Sequence, residues 1–190
     1  MLASLVHPHE VQTEVRMSSY ADLFGGPPEQ YFAYTDFSHP DDEIRIDVLA
    51  YKLKHGVALV TNGLSDAGRP RRELLQYCSH HRRSDAERLH GAAHLAIRTG
   101  RQLDYADTLE LPHPAGTAWP NAIFLPPQIR SHSDFEITVD GDPLKLLWYL
   151  PLSDSELAYK QAHGVSALLE GMSTAKLPWI FDEATRPVLR

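Results

Sequence analysis

Cysteine is nearly absent from this sequence, because Cys78 is the single cysteine in 190 residues. One thiol excludes an internal disulfide framework and any zinc site built from several cysteines. A chain of this length that folds as one domain buries roughly 70% of the surface of its unfolded form, so the core can stabilise it without a disulfide, metal or cofactor. We expect Cys78 to lie in that core, since cysteine is among the most frequently buried residue types.

Long apolar runs are also missing. The best window, 144–152, is short and contains Lys145, whereas a membrane span needs about 18 apolar residues. The apolar start at 2–6 is cut off by His7-Pro8-His9, and the first basic residue is Arg16. The N-terminus therefore lacks the pattern of a secretory signal. We predict a cytoplasmic protein with no membrane partner.

An excess of positive charge is the third feature that the chain lacks. It has 18 basic and 25 acidic residues, a formal net charge of −7, which argues against a broad basic surface and a direct nucleic-acid partner. The segment 69–101 differs, with 8 arginines against 3 acids; we call it the arginine island. We predict that the island is a solvated strand edge and helix face, and the alternative is a patch that binds an anion or a partner.

Alternating and apolar segments predict strands. Ile44, Ile46 and Val48 alternate with polar residues, which is typical of a half-buried strand. The apolar run 56–61 predicts a more buried second strand, and 71–78 predicts a third. Prolines surround two of the later extended segments and make interior positions for these two strands improbable. The later segments are 108–111, 122–125, 135–139 and 144–150.

Capping boxes of the form Ser-Asp-x-Glu predict the starts of two helices. The first runs from Ser84 to Glu87, and apolar residues at helical spacing follow it. The second, Ser153 to Glu156, opens a helix that Gly164 interrupts. A shorter helix is predicted at 20–24.

The order of these elements predicts a single α+β domain, with a mixed or antiparallel sheet flanked by two main helices. We expect residues 1–42 to form a helix and loop segment that packs on the main body, residues 43–190.

Two histidines, His90 and His94, are spaced so that they share one helix face and could bind a divalent metal. However, Gly91 stands where the zinc-protease motif has its glutamate, and no third ligand is signalled. We predict surface or half-buried histidines and no metal; a small histidine-dependent metal hydrolase is the less favoured alternative. The sequence offers no catalytic set of residues, which predicts a binding protein and not an enzyme.

Four short segments resemble landmarks of the suppressor of fused-like domain family and occur in the family's order. They are Val57–Ser65, Arg72–Leu75, Pro151–Gly164 and Phe181–Pro187. The resemblance implies a single α+β domain with no known enzymatic activity. The larger animal members bind and restrain a transcription factor of the Hedgehog pathway, whereas many short bacterial versions look like immunity proteins that neutralise a toxin. The positions that match the family's motifs are expected to be turns, a strand pair and a helix cap: Gly63, Ser65, Glu73, Glu156 and Gly164.

We therefore predict a protein that binds a cognate toxin, such as a nuclease or another enzyme with a basic cleft, and blocks it. An acidic partner can present a phosphate-like surface to such a cleft. An intracellular regulator that binds a non-toxin protein is the alternative. Trp119 has a second possible role as a loop anchor packed on the core. The candidate partner contacts are Asp36, His39, Asp41, Asp42 and Trp119.

Overall fold

The computed structural model describes residues 8–34, 45–67, 70–111, 117–127 and 136–189. Three helices and eight strands lie in these ranges. The helices are α1 (Pro8–Phe24), α2 (Arg83–Arg98) and α3 (Asp154–Thr174), and a 3₁₀ turn covers Leu64–Ala67. The strands are β1 (Gln30–Phe32), β2 (Asp47–Lys52), β3 (Val57–Asn62), β4 (Arg72–Cys78), β5 (Thr108–Glu110), β6 (Asn121–Leu125), β7 (Glu136–Val139) and β8 (Asp142–Leu152).

The strands form one open mixed sheet in the order β1-β2-β3-β4-β8-β6-β5, and β7 pairs with β8 outside this path. Only the β4–β8 pair is parallel in the described part of the chain, with Arg72 opposite Lys145 and Leu75 opposite Trp148. Beyond Leu75, the tail that follows α3 lies beside β4 in place of β8, since Phe181 forms a parallel bridge with Cys78. The predicted single α+β domain with a mixed sheet is confirmed.

Both faces of the sheet are covered. Helix α2 packs on one face through apolar residues such as Leu89, and α1 and α3 contribute Tyr20 and Leu168 to the core on the other face. Cys78 is 1% exposed and lies in the first of these cores, as predicted. No described helix is both long and apolar enough to cross a membrane.

The structure corrects two predictions about the N-terminal part. The N-terminal helix was predicted at 20–24 beside the two main helices, but α1 is 17 residues long and begins at Pro8. Its pattern is hard to read because Arg16, a charged residue, is fully buried. The half-buried strand predicted from residue 43 is wrong as well: β2 begins at Asp47, and its first five residues are all buried. A sheet covered on both faces has no solvated side to produce a polar alternation.

Two further corrections concern α2 and β6. Helix α2 begins at Arg83 and its N-cap, Arg82, makes no side-chain capping bond, so the capping box predicted at Ser84 is absent.

Strand β6 lies inside the sheet between β8 and β5 and all its residues are buried, although prolines were expected to prevent this. Pro120 and Pro126 stand just outside the strand, where they remove no ladder hydrogen bond.

The predicted cap of α3 is confirmed. Ser153 accepts a hydrogen bond from the Glu156 N–H, and the Glu156 side chain accepts one from the Ser153 N–H. The helix is interrupted at Gly164, whose φ of 87° is non-helical. A residue with a Cβ rarely adopts that conformation, which explains the glycine.

Candidate protein-interaction surface

A buried carboxylate organises the turn after β3. Glu73 is fully buried and accepts hydrogen bonds from the backbone N–H groups of Gly63 at 3.0 Å, Leu64 at 3.3 Å and Ser65 at 3.0 Å. The Thr61 hydroxyl donates a fourth bond at 2.6 Å. Burial raises the pKa of the Glu73 carboxyl, while Arg16 and these hydrogen bonds act in the opposite direction.

Arg16 links this turn to α1. Its Nε lies 4.0 Å from Glu73 Oε1 and donates to Asn62 Oδ1 at 2.5 Å. The two terminal nitrogens of Arg16 bind Asp66 at 2.5 and 2.9 Å, a two-pronged arrangement that fixes both position and orientation. We call Arg16, Asn62, Asp66 and Glu73 the N-terminal anchor.

A second buried arginine ties the tail to α3. Arg186 is 5% exposed, its Nη2 lies 3.2 Å from Glu156 Oε1, and its Nη1 donates to the carbonyl of Pro151 on β8. The guanidinium also lies over the Trp119 ring, 4.6 Å from the centroid. We call Arg186, Glu156 and Trp119 the C-terminal anchor. Both anchors use landmark positions: Glu73 lies on β4 and Glu156 in the helix cap, as expected, and their ion pairs with Arg16 and Arg186 add a role that was not predicted.

Five of the eight arginines of the island form ion pairs with acids of the same chain. Arg72 lies 3.5 Å from Asp104, and Arg88 lies 3.5 Å from Asp85 and 3.0 Å from Glu183. Apart from the exposed Arg98 and Arg101, the other described arginines are paired too, with Arg82 at 3.2 Å from Asp182, Arg83 at 2.9 Å from Glu87 and Arg71 at 3.8 Å from Asp142. These pairs neutralise much of the positive charge that the sequence concentrates in 69–101.

The histidine pair of α2 forms an aromatic stack. The His90 and His94 rings are 5.9 Å apart at an angle of 17°, and Tyr34 stacks on His90 at 4.4 Å. Both histidines are half-buried, as predicted. Among the described residues there is no group of three or more histidine, cysteine or acidic side chains placed to hold a metal ion.

The predicted contact residues are described only in part. Asp36, His39, Asp41 and Asp42 lie outside the described residues, so their partner-binding role stays a prediction. Trp119 is 1% exposed and packs edge-on against Phe181 at 5.6 Å. Its surroundings are those of the loop anchor, the alternative that the sequence left open.

Other aromatic side chains reach the surface instead. Tyr31 and Trp179 are 38% and 39% exposed, and neither is among the contact residues predicted from the sequence. Tyr31 stands on the edge strand β1, where its hydroxyl donates to Asp47 and accepts from Arg45 at 3.2 Å. Burial, aided by Asp47, raises the pKa of Tyr31 to about 12, so its hydroxyl stays protonated and can donate.

Trp179 forms one wall of a cleft of about 150 Å³, which is lined by Leu125, Pro126, Trp148, Leu169 and Trp179. The rings of Trp148 and Trp179 meet at 64° with centroids 5.6 Å apart. Exposed aromatic groups held by packing or hydrogen bonds are the features that protein interfaces use for their strongest contacts. The described surface is therefore equipped for binding another protein.

Comparison with known proteins agrees with this description. The family model for the suppressor of fused protein (SUFU) matches residues 42–184. The chain belongs to the SUFU family. The matched range includes the three acidic members of the anchors, Asp66, Glu73 and Glu156, and the tail as far as Ala184.

Two solved SUFU-type structures share the fold. A protein from Neisseria gonorrhoeae FA 1090 described as a SUFU homologue aligns with a TM-score of 0.75 and 14% identity, covering 95% of this chain and 97% of that one. A Sufu–Fu complex aligns with a TM-score of 0.63 and 12% identity, covering 85% and 83%. No curated protein sequence matches the chain.

Proposed function

We propose that this protein is a non-enzymatic cytoplasmic binding protein of the bacterial immunity type, which neutralises a cognate toxin by forming a complex with it. Membership of the SUFU family supports direct protein binding, since one structure of this fold contains Sufu with a protein partner, Fu. The observation that carries the proposal is the balance of charge.

The chain carries a net charge of −7. Five arginines of the island are held by acids of their own chain, as Arg88 is by Asp85 and Glu183. A partner approaching the molecule therefore meets an acidic protein. A toxin with a basic cleft, such as a nuclease, is attracted to it, and this attraction raises the association rate.

Binding at an enzyme's cleft also needs anchors that become buried on contact. Tyr31 and Trp179 are exposed but restrained, Tyr31 by Asp47 and Arg45 and Trp179 by Trp148. Restrained aromatic groups lose little conformational freedom on binding, so more of their contact energy appears as affinity.

Co-expression tests the proposal. The toxin to test is any secreted or contact-delivered protein that is encoded beside this gene. The protein should restore growth to cells that produce the toxin, and the two should co-purify as a complex in which the mass of the toxin is unchanged. Growth rescue without a detectable complex would contradict binding and would indicate an enzyme that acts on the toxin's product or target.

A charge variant tests the mechanism. Asp41→Asn combined with Asp42→Asn is expected to slow association and to flatten its salt dependence, because exposed charges steer encounter more than they hold a complex together. Stopped-flow association at several salt concentrations measures this. A variant with unchanged association at low salt would show that these two acids lie away from the interface.

A further inference from the structure

The cleft between Trp148 and Trp179 combines an exposed wall with a buried one. Trp179 is 39% exposed, whereas Trp148 is 2% exposed and is backed by Tyr77, whose ring centroid lies 5.3 Å away. The two indoles meet at 64°, so the exposed ring of Trp179 stands at an angle to the buried floor that Trp148 forms. Leu125, Pro126 and Leu169 complete the described lining.

The chemistry of this lining favours a cation. None of the five described lining residues carries a charge, and the faces of indole rings are electrostatically negative. The protein as a whole carries a net charge of −7, which adds a longer-range attraction for positive groups. The cleft thus presents no positive charge that would repel a cationic side chain, and the described residues place no cation in it.

Elsewhere in this chain, aromatic rings lie against the cationic groups of arginine and lysine side chains. Arg186 lies 4.6 Å from the Trp119 ring centroid, Arg88 lies 5.3 Å from that of Phe181, and Lys145 lies 3.9 Å from that of Tyr105. By contrast, the ring of Trp179 packs against the Trp148 ring, and no cation is found over it among the described residues. Three other aromatic rings of this chain thus lie against a cation, whereas the ring of Trp179 is exposed at the surface.

We propose that the Trp148–Trp179 cleft receives an arginine side chain of a basic protein partner. The inference rests on the proposed function and adds to it where the partner binds and which kind of side chain it inserts. Arginine fits better than lysine, because its planar guanidinium stacks on aromatic faces and is more weakly hydrated than an ammonium group, so it loses less on entering an apolar cleft. Proline and leucine side chains in the lining would contact the arginine methylene stem.

A peptide probe tests the cleft without the partner. The peptide acetyl-Gly-Gly-Arg-Gly-Gly-amide is titrated while the indole N–H resonances of Trp119, Trp148 and Trp179 are followed by NMR. We expect saturable shifts at Trp148 and Trp179 and little change at buried Trp119. The same peptide with citrulline, which is neutral but similar in shape, should give no saturable shift. Equal shifts from both peptides would overturn the requirement for a cation.

A pair of variants tests the role of Trp179 in the complex. Trp179→Ala is expected to weaken affinity for the co-purifying toxin about tenfold, which corresponds to about 1.4 kcal/mol. Tyr159→Ala is the matched control, because Tyr159 has the same 39% exposure on α3; its affinity should stay within about twofold. Equal urea midpoints would establish that both variants fold.

These measurements separate the two proposals. If the wild-type protein forms the complex and Trp179→Ala binds as tightly as the wild type, the cleft inference is overturned and the binding function stands. If the wild-type protein forms no complex while the arginine peptide binds at the cleft, the proposed function fails and the cation site stands. Loss of the peptide shifts in Trp179→Ala, but not in Tyr159→Ala, would support the site.

Discussion

The two anchors perform the same task with different numbers of partners. Each uses a buried arginine and a buried glutamate to tie an end of the chain to the body, α1 through Arg16 and the tail through Arg186. In the N-terminal anchor, Glu73 has four donors besides Arg16, three of them backbone N–H groups. Glu156 has fewer: the N–H groups of Ser153 at 2.9 Å and Leu189 at 3.3 Å.

This difference shows which charges depend on each other. Glu73 would remain hydrogen-bonded without Arg16, and Asp66, the other partner of Arg16, is 16% exposed and can be hydrated. Glu156 is fully buried beside Arg186, with 0% and 1% of their side chains exposed. Removing one partner of a buried ion pair leaves an uncompensated charge, which costs more than the pair itself contributes. We therefore expect the tail to be the more sensitive end.

The largest effect is expected at Arg186. Arg186→Met keeps much of the volume against Trp119 but leaves the Glu156 carboxylate buried without a cation, and it should lower the free energy of unfolding by about 3–5 kcal/mol. Urea denaturation followed by circular dichroism measures this. The double variant Arg186→Met with Glu156→Gln should recover part of the loss, since the stranded charge is gone; no recovery would show that the charge pair is not the reason.

Arg16→Met should have a smaller effect, about 1–3 kcal/mol, because Glu73 keeps its four other donors and Asp66 can reach water. The same urea titration gives the value. A loss at Arg16 that equals or exceeds the loss at Arg186 would break the comparison between the anchors. It would mean that α1 is held chiefly by this one side chain and not by its apolar contacts, such as the stacking of Phe24 on Tyr51 at 4.8 Å.

The predictability of the two anchors from the sequence also differs. Ser153 and Glu156 are three residues apart, and their capping box is local chemistry that the sequence displays directly. The partner of Arg16 cannot be read in this way, because Asn62 is 46 residues away and an arginine in a helix is usually solvated. The same holds for Arg186 and Glu156, which are separated by 30 residues.

The helices and strands also differ in how well the sequence predicts them. The apolar run of β3 and the strand β4 were predicted within a residue or two, since their side chains are buried on both faces. The length of α1 and the interior place of β6 were not, because each depends on which element packs beside it. Trp179 carried no signal beyond its position after Pro178; its exposure and its contact with Trp148 arise only when the tail folds back on the sheet.

Ser153→Ala tests whether the C-terminal anchor depends on the helix cap. The variant loses the bond that Ser153 Oγ accepts from the Glu156 N–H at 3.2 Å, and we expect a loss of about 1 kcal/mol in unfolding free energy. Ser84→Ala is the control, because Ser84 lies inside α2 and caps nothing; its midpoint should be that of the wild type. Equal losses in the two variants would contradict the observed start of α2.

The smallest effect is expected at Arg82, which is paired with Asp182 in the turn just before Arg186. The contact is 3.2 Å long, but 42% of the Arg82 side chain is exposed, so solvent screens the pair and offsets most of its attraction. Arg82→Gln should change the free energy of unfolding by no more than about 0.5 kcal/mol and leave toxin affinity unaltered, as measured by urea titration and by titration calorimetry. A much larger loss of stability would extend the C-terminal anchor to the N-terminus of α2, because Arg82 would then be holding the turn that positions Arg186. A loss of affinity at unchanged stability would instead place the interface on the arginine island and away from the acidic residues before β2.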